Sequence, residues 1–377
     1  MTIPSGSPLA TLETPAALVD LDRLERNIAR MADYARAHGL ALRPHIKMHK
    51  ATTVGASQIA HGAAGLTVAT PAEAQVMSGV TRDLLLAYPP VGPKLAKLMA
   101  LPAGVRLTVA LDSARAVEEL AAAAGAAGRP VRVYVELDVG MHRVGVTAWD
   151  DAIALARLVG ERAPLEYAGI AFYPGHIREA AGSQGEKIAA LNAALRSATE
   201  ALDRAGFAPS VVSGGSTPTV WQTHEIVGVT EFRPGTYVYN DRTTAEIGAC
   251  AWDDCAFSVL ATVVSTSVPN QAVIDAGAKA LGREPMRGAE GEGWGALLDR
   301  PEVVVSRMSE EHGILDLSNT TWRPAVGDLV RVVPNHVCIV VHLNDVMYGV
   351  RGDAVATSWA VDARGRAQPT VGAGGAA

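Results

Sequence analysis

Two short segments far apart in the chain carry side chains whose types and spacing could do chemistry. The first is LALRPHIKMHK, residues 40–50, in which Arg43, His45 and Lys47 alternate with apolar residues or proline. On a β-strand these three side chains point to one face, and Lys50 points to the other. A lysine among cations loses its proton more readily, and a neutral amine can form a Schiff base with a carbonyl group. Taken alone, the segment is also typical of a solvated strand end.

The second segment is PNHVC, residues 334–338. If it forms a strand, His336 and Cys338 face the same way and can bind one metal ion. Imidazole with thiolate favours zinc, with manganese or magnesium as alternatives. Two protein ligands are too few for a closed structural site, so the pair indicates a catalytic ion with positions left for water or substrate. A core strand with an incidental histidine and cysteine is the alternative.

Two glycine segments are candidates for binding a phosphate group. SGGST (213–217) and RPGTY (233–237) each follow a predicted strand and supply flexible backbone N–H groups and hydroxyls. Pyridoxal phosphate is a cofactor that needs both a Schiff-base lysine and a phosphate site. Glycine after a barrel strand is usually only a turn, but two such segments in succession strengthen the interpretation.

Short apolar runs alternate with helical patterns through the first two thirds of the chain. The runs lie at 17–22, 40–46, 65–69, 84–88, 106–112, 131–140, 167–175, 209–215 and 231–239. Eight or nine such units predict an α/β fold, a (β/α)8 TIM-type barrel over residues 13–245. Short β-rich runs then predict a smaller all-β C-terminal domain over 246–365, which residues 1–12 could join. Residues 366–377 are rich in glycine and alanine and predict a loose tail.

Composition narrows the function further. The chain has 377 residues, 49% apolar and 19% charged, with a formal net charge of −6 and no long basic run. These values predict a folded protein with no nucleic-acid partner. The absence of a long apolar run and of a signal-peptide pattern predicts a cytoplasmic protein with no membrane partner. Three cysteines argue against a disulfide framework, and Cys250 and Cys255 are expected to be small buried side chains.

Seven motifs in one order carry a family resemblance: RPHIKMHK, DVGMHRVGV, SGGST, RPGTY, DAGAKAL, SEEHG and PNHVC. The chain resembles the D-serine dehydratase and D-threonine aldolase relatives of the alanine-racemase-type, fold-type III pyridoxal-phosphate enzymes, over residues 13–365. The resemblance implies a (β/α)8 barrel with a β domain, a homodimer, and a small D-amino acid as substrate.

The resemblance also implies roles for individual residues. Lys47 matches the catalytic Schiff-base lysine, with His45 beside it, and Arg143 matches the arginine near the cofactor's ring hydroxyl. Tyr173 and His176 belong to the segment that lines the pocket and are further catalytic candidates. His336 and Cys338 match the pair that binds a divalent metal. The remaining cofactor-binding candidates are Ser213, Gly215, Ser216, Thr217, Gly235, Thr236 and Tyr237.

The implied activity is a lyase reaction on D-3-hydroxy amino acids such as D-serine, D-threonine or 3-hydroxy-D-aspartate. A dehydratase would release a keto acid and ammonia, and an aldolase would release glycine and an aldehyde. The aldolases of this group resemble H-x-D at the metal pair, whereas this chain has His336 and Cys338. They also carry a Q-H pair after the Y-x-G segment, where YPGHIREA places Glu179, although His176 could substitute. Both features favour the dehydratase.

Two other functions remain open. An amino-acid racemase would need a second base opposite the lysine, commonly a tyrosine of the β domain, and would leave the H-V-C motif unexplained. A non-catalytic pyridoxal-phosphate carrier of the same barrel type would lack the β domain that the sequence predicts here.

Overall fold

The computed structural model describes residues 4–288 and 291–365. The predicted tail, 366–377, lies outside this range. The strands are β1 Ser7–Pro8, β2 Ala16–Asp20, β3 Ala41–Leu42, β4 Leu66–Val68, β5 Asp83–Leu86, β6 Arg106–Leu111, β7 Val131–Leu137, β8 Leu165–Phe172, β9 Val211–Gly214, β10 Glu231–Phe232, β11 Phe257–Ser265, β12 Gln271–Ile274, β13 Gly295–Leu297, β14 Arg300–Met308, β15 Gly313–Asp316, β16 Leu329–Pro334, β17 Val346–Arg351 and β18 Ala354–Ala360.

Helices connect the strands of the first part and are rarer in the second. The α-helices are α1 Leu21–Ala37, α2 Thr52–Ala60, α3 Pro71–Met77, α4 Lys94–Met99, α5 Ala114–Ala127, α6 Trp149–Gly160, α7 Gly185–Arg204, α8 Arg242–Glu246, α9 Ala278–Leu281 and α10 Val337–Leu343. Short 3-10 helices span Leu9–Thr11, Ile46–Met48, Ala181–Ser183, Val220–Glu225, Thr236–Val238 and Trp252–Asp254.

Strands β3 to β10 form one parallel sheet in the order β3-β10-β9-β8-β7-β6-β5-β4. A parallel bridge between His45 and Thr67 joins the two ends of the sheet and closes it into a barrel. The connecting helices are amphipathic. In α5, for example, Ser113 caps the first turn by accepting a hydrogen bond from the Ala116 N–H, and Val117 and Leu120 are buried. The predicted (β/α)8 barrel is confirmed.

The interior of the barrel holds a network of paired charges. Arg43 donates to Asp83 at 2.8 Å and to Glu231 at 2.6 Å, and all three are buried. Ser213 donates to Glu231 at 2.6 Å and accepts from Arg233 at 2.9 Å. These groups satisfy one another, as buried charges must if they are not to cost several kcal/mol each.

The remaining strands form a mixed, largely antiparallel ten-stranded sheet, in the order β1-β18-β17-β2-β11-β12-β15-β14-β13-β16, with β11 also paired to β16. The β-rich C-terminal domain is confirmed, although it includes two short helices, α9 and α10. Strand β2 pairs with β11 and β17, so residues 16–20, which the predicted barrel range of 13–245 includes, belong instead to the β domain. Strand β1 pairs with β18, as expected if the N-terminal segment joins this domain.

Among the residues that the structure describes, no helix is both long and apolar enough to cross a membrane.

Candidate active site

A cavity of about 540 Å³ lies at the carboxyl ends of the barrel strands, and residues of the β domain also line it. This end of a barrel is where such folds place their active sites. Eleven of the site residues that the sequence predicts line this one cavity: His45, Lys47, Arg143, Tyr173, Gly215, Ser216, Thr217, Gly235, Thr236, His336 and Cys338.

Lys47 reaches the cavity from a turn and not from a strand. Strand β3 ends at Leu42, and Lys47 lies in the 3-10 helix Ile46–Met48, where its backbone N–H donates to His45 Nδ1 at 3.4 Å. The predicted strand alternation therefore does not extend as far as Lys47. Lys50 adopts a left-handed backbone (φ 50°) and forms an ion pair with the buried carboxylate of Glu73. The two lysines thus lie in different surroundings, and it is Lys47 that lines the cavity.

The Lys47 amine lies among other cations and one aromatic ring. Its Nζ is 5.8 Å from the ring centroid of Tyr173, and Arg143 Cζ is 4.9 Å from the same centroid. Within the described ranges Lys47 Nζ has no hydrogen-bonding partner, so it is available to react. Burial, followed by the charges of Lys47 and Arg233, holds the pKa of His45 well below its ordinary value. A neutral imidazole beside Lys47 is the result.

The two glycine segments lie beside this lysine. Gly215 has φ +93°, and a Cβ at Gly235 would lie 2.8 Å from Met48 Cγ and 3.1 Å from the His45 carbonyl oxygen. The buried Thr217 hydroxyl has no hydrogen-bonding partner in the described part of the chain. Close backbone approach and an unpaired buried hydroxyl fit a phosphate group that would accept hydrogen bonds here. With Lys47 and Arg143 nearby, the cavity fits pyridoxal phosphate.

Glu136, on β7, also lines the cavity and was not predicted from the sequence. Its Oε2 is buried without a partner among the described residues. Burial raises the pKa of Glu136, and the charges of Arg233 and Arg143 partly offset this effect. A signal was present, because a carboxylate in the run VRVYVEL interrupts an otherwise buried strand.

His336 and Cys338 meet at the cavity, although not on a strand as predicted. Strand β16 ends at Pro334, His336 is the N-cap of α10, and Cys338 lies in the first turn of that helix. The Cys338 sulfur contacts the sulfur of Met48, the residue after Lys47. The β domain thus places its two candidate ligands against the lysine segment of the barrel.

Asp241 orients this pair. It is fully buried, and its Oδ2 lies 3.0 Å from His336 Nδ1 and accepts from the Val337 N–H at 3.1 Å. Its Oδ1 accepts from the Thr244 N–H at 2.9 Å, which caps α8. A carboxylate on one ring nitrogen leaves Nε2 for a metal ion, an arrangement typical of metal-binding histidines. The sequence shows the Asp-x-x-Thr pattern of a helix cap at Asp241 and Thr244. It does not show that Asp241 contacts His336, which lies 95 positions further along the chain.

The electrostatics of His336 fit a cation site. Burial lowers its pKa, but hydrogen bonds with Asp241 and Cys338 outweigh burial and raise the pKa of His336 to about 10. A metal ion held by the imidazole and the thiolate would take the place of that proton. No group of three or more His, Cys, Asp or Glu side chains suited to a metal occurs in residues 4–288 and 291–365. The pair would therefore leave other coordination positions to water or substrate.

Three predicted site residues lie elsewhere. Ser213 belongs to the paired network inside the barrel, because β9 turns its side chain inward toward Glu231. Tyr237 is buried, and its hydroxyl accepts from Gln58 at 2.9 Å. The His176 ring packs against Gly140, whose Cβ, if present, would lie 3.1 Å from the ring. None of these three side chains lines the cavity. The cavity lining therefore gives no support to the predicted catalytic role of His176 or to the predicted cofactor-binding roles of Ser213 and Tyr237.

Comparison with known proteins agrees with this geometry. Residues 19–243 match the family described as "Alanine racemase, N-terminal domain", and residues 256–350 match "Putative serine dehydratase domain". A D-threo-3-hydroxyaspartate dehydratase of Delftia sp. (strain HT23) is 37% identical over 353 residues, 88% of this chain and 92% of the relative.

Solved structures give the same result. D-threonine aldolase from Filomicrobium marinum superposes with a TM-score of 0.86 at 32% identity, covering 96% of this chain and 98% of that one. A cysteine-to-alanine mutant of D-threo-3-hydroxyaspartate dehydratase in the metal-free form superposes with a TM-score of 0.85 at 33% identity, covering 94% and 98%.

The barrel, the β domain and the lysine site define a fold-type III pyridoxal-phosphate enzyme. The chain belongs to the alanine racemase N-terminal domain family, and within it to the pyridoxal-phosphate-dependent lyases.

Proposed function

We propose that the chain is a dehydratase that converts a D-3-hydroxy amino acid to a keto acid and ammonia. Pyridoxal phosphate and a divalent metal, zinc by preference for the Cys338 thiolate, would be its cofactors. The observation that carries the choice of dehydratase is the placement of the segment that follows Tyr173. His176 packs on Gly140, and Glu179 forms an ion pair with Lys187, so neither side chain lines the cavity.

This placement matters because an aldolase needs a base for the β-hydroxyl proton. The aldolases that the chain resembles carry a histidine in this segment. Here neither His176 nor Glu179 lines the cavity, whereas Lys47 does and would take the proton from Cα. A dehydratase needs only that base and an acid that helps the hydroxyl leave.

The residues of the chain have separate tasks in this reaction. Lys47 Nζ would bind the cofactor aldehyde between turnovers and take the α-proton when the substrate is bound. Arg143 would hold the hydroxyl side of the cofactor ring, and Gly215 and Thr236 would bind its phosphate. When bound, pyridoxal phosphate supplies an electron-withdrawing ring that acidifies the α-proton, and the metal held by His336 and Cys338 supplies a Lewis acid for the hydroxyl.

We further propose that the substrate carries an acidic side chain, as in 3-hydroxy-D-aspartate. Arg178, after β8, and Arg287, in the β domain, both line the cavity and are not among the residues assigned to the cofactors. A Cβ at Gly288 would lie 1.8 Å from the Arg178 carbonyl oxygen, so the two arginine segments are in contact. Guanidinium groups bind carboxylates in a bidentate geometry.

The Arg287 segment is also tied to the candidate metal pair. Asn335, which precedes His336, donates to the Glu284 carbonyl at 3.1 Å. The β-carboxylate of 3-hydroxyaspartate is bonded to the carbon that bears the hydroxyl. A carboxylate near Arg178 and Arg287 is therefore compatible with a hydroxyl near His336 and Cys338. The dehydratase relative from Delftia sp. acts on a substrate of this type, as its name states.

Product analysis tests the reaction. The purified protein, supplied with pyridoxal phosphate and Zn²⁺, is incubated with D-serine, D-threonine and 3-hydroxy-D-aspartate. We expect equal amounts of keto acid and ammonia. Glycine with an aldehyde would identify an aldolase, and appearance of the L-amino acid alone would identify a racemase.

Variants of the two arginines test the substrate class separately. Arg178→Gln and Arg287→Gln are expected to lower kcat/KM for 3-hydroxy-D-aspartate by roughly 10–10²-fold, the worth of a charged hydrogen bond. Turnover of D-serine should change little. Arg162→Gln, which breaks an ion pair with Glu118 away from the cavity, is the matched control. Equal losses on both substrates would contradict the acidic-substrate assignment and leave the dehydratase assignment standing.

The chain is also proposed to act as a homodimer, as the family resemblance implies. Light scattering on the purified protein should give twice the mass of the chain.

A further inference from the structure

Two cysteines outside the cavity lie against the same helix cap. Cys250 and Cys255 are joined by Ala251 and the 3-10 helix Trp252–Asp254, and their sulfur atoms contact neighbouring atoms of the cap of α8. From the sequence, only small buried side chains are expected here. The structure instead shows two nucleophilic sulfur atoms that contact one helix cap and that the proposed reaction does not use.

Both thiols contact the cap of α8, in which Asp241 contacts His336 of the candidate metal pair. Cys250 Sγ is 3.7 Å from Thr244 Oγ1, and Cys255 Sγ is 3.7 Å from the Asp241 carbonyl oxygen. The Thr244 hydroxyl donates to that same carbonyl at 2.9 Å. Asp241 in turn holds His336, so the path from the cysteines to a candidate metal ligand passes through one residue.

The turn between the cysteines is anchored at its centre. Trp252 donates its indole N–H to the Leu298 carbonyl at 2.8 Å, and the Cys255 N–H donates to the Trp252 carbonyl at 3.0 Å. These bonds fix the short turn that carries both cysteines.

The two thiols differ in access. Cys250 is half-buried, beside a small cleft that Asn240 and Asp254 also line, whereas Cys255 is buried. Interaction with Cys250, together with burial, holds the pKa of the Cys255 thiol well above its ordinary value. An oxidant from solvent therefore meets Cys250 first, and Cys255 is placed to react second.

We propose that Cys250 and Cys255 form a reversible disulfide under oxidation by a peroxide, and that its formation weakens the metal site through Asp241. Cys250 attacks one peroxide oxygen, the O–O bond breaks, and the products are a sulfenic acid and water. Cys255 then attacks the Cys250 sulfur, the S–O bond breaks, and a second water leaves with the remaining thiol proton. Two thiols lose two electrons in total, and one peroxide becomes two waters.

Disulfide formation would affect the metal site because it changes the distance between the two sulfur atoms. A disulfide holds its sulfur atoms about 2.05 Å apart, far closer than two thiols in contact. Drawing the sulfurs together moves them relative to Thr244 and to the Asp241 carbonyl. Displacing a carboxylate that orients a metal-binding histidine typically costs 10–100-fold in metal affinity or activity. Reduction by a dithiol restores both thiols.

Peptide mapping of the oxidised holoenzyme tests the proposal, with a mass readout that does not depend on which lyase reaction the enzyme performs. Trypsin cuts after Arg242 and Lys279, so both cysteines lie on peptide 243–279 and Cys338 lies on another. After stoichiometric H2O2, this peptide should lose two hydrogens and take up no alkylating reagent. Bound metal and kcat/KM should fall by roughly tenfold or more, and dithiothreitol should restore both.

Cys250→Ser is the matched control, because it retains Cys255 and Cys338. Under the same treatment it should keep its metal and its activity, and Cys255→Ala should behave in the same way. Equal inactivation of these variants would assign the loss to Cys338 and overturn the proposal. Alkylation of both cysteines after H2O2, or a disulfide that leaves metal and activity unchanged, would also overturn it.

Discussion

Arg43 and Lys47 are four residues apart in one segment, yet they lie in contrasting surroundings. Arg43 is buried inside the barrel, where Asp83 and Glu231 both accept hydrogen bonds from it. Lys47 lines the cavity above, where its amine has no hydrogen-bonding partner among the residues described. The same contrast separates the polar groups around them, since Ser213 is paired whereas Thr217 and Glu136 each keep an unpaired buried oxygen.

The contrast distinguishes structural polar groups from groups that wait for a ligand. A buried polar atom without a partner costs free energy, which a bound molecule can recover by supplying the partner. In the barrel, the paired charges support the fold as one layer, and the unpaired groups that line the cavity form the candidate site as a second, although Tyr134 and Thr108 in the barrel interior also keep unpaired hydroxyls. Substitutions in the two layers should therefore have different consequences, the first on stability and the second on activity.

The largest effect is expected at Lys47. Lys47→Ala removes both the Schiff-base amine and the proposed base, so kcat should fall by about 10⁴-fold or more, and added pyridoxal phosphate should show no Schiff-base absorbance. Lys50→Ala is the matched control, because it removes a nearby lysine that is paired with Glu73. It should keep the absorbance and lose stability. A Lys47→Ala protein that keeps the Schiff-base band would refute the assignment.

The paired layer should respond in the opposite way. Glu231→Gln keeps the shape of the side chain but removes one of the two negative charges buried beside Arg43, and we expect the free energy of unfolding to fall by about 3–5 kcal/mol. Urea denaturation measures this change. The Schiff-base absorbance should remain, because Glu231 lies below the cavity. Loss of cofactor binding with unchanged stability would show that the two layers are not distinct.

The sequence predicts the features of this site that depend on local patterns, and it misses those that depend on contacts between distant segments. The alternation of strands and helices predicts the barrel, and motif order points to Lys47, His336 and Cys338, because both signals are local. Strand β2 has the same local pattern as a barrel strand, and only its pairing with β11 and β17 assigns it to the β domain. The packing of His176 on Gly140 and the contact of Asp241 with His336 join distant segments, and local sequence patterns do not show such contacts.

The candidate metal pair, His336 and Cys338, extends the comparison to the β domain. Cys338→Ala removes the thiolate ligand, so the protein should retain little zinc after dialysis, and kcat should fall by roughly 10²-fold as the Lewis acid is lost. His342→Ala is the control, because that exposed histidine follows on the same helix, α10. Elemental analysis of both proteins measures the bound metal. Full activity of the wild-type protein after complete chelation would exclude a catalytic metal.

The smallest effect is expected from acid, and it concerns Asp83 in the paired layer. Burial raises the pKa of Asp83, but hydrogen bonds from Arg43 and Arg106 outweigh burial and hold the pKa below its ordinary value. A carboxyl group whose pKa is lower in the folded state stabilises the fold above its ordinary pKa of 3.8. That contribution disappears as the pH falls through the lower folded value, because the unfolded chain binds the proton first.

Asp83→Asn removes this titration and keeps a side chain of similar size. The variant should be less stable than the wild type at neutral pH, and the difference should narrow as the pH falls toward 3. Asp33→Asn removes an exposed carboxylate paired with Arg36. It should change little either the stability at neutral pH or its dependence on pH. Urea denaturation at several pH values measures the difference in free energy of unfolding between the variant and the wild type. A difference that stays constant with pH would mean that Asp83 stabilises the barrel by packing and not by its charge, and the paired layer would then be an apolar core in energetic terms.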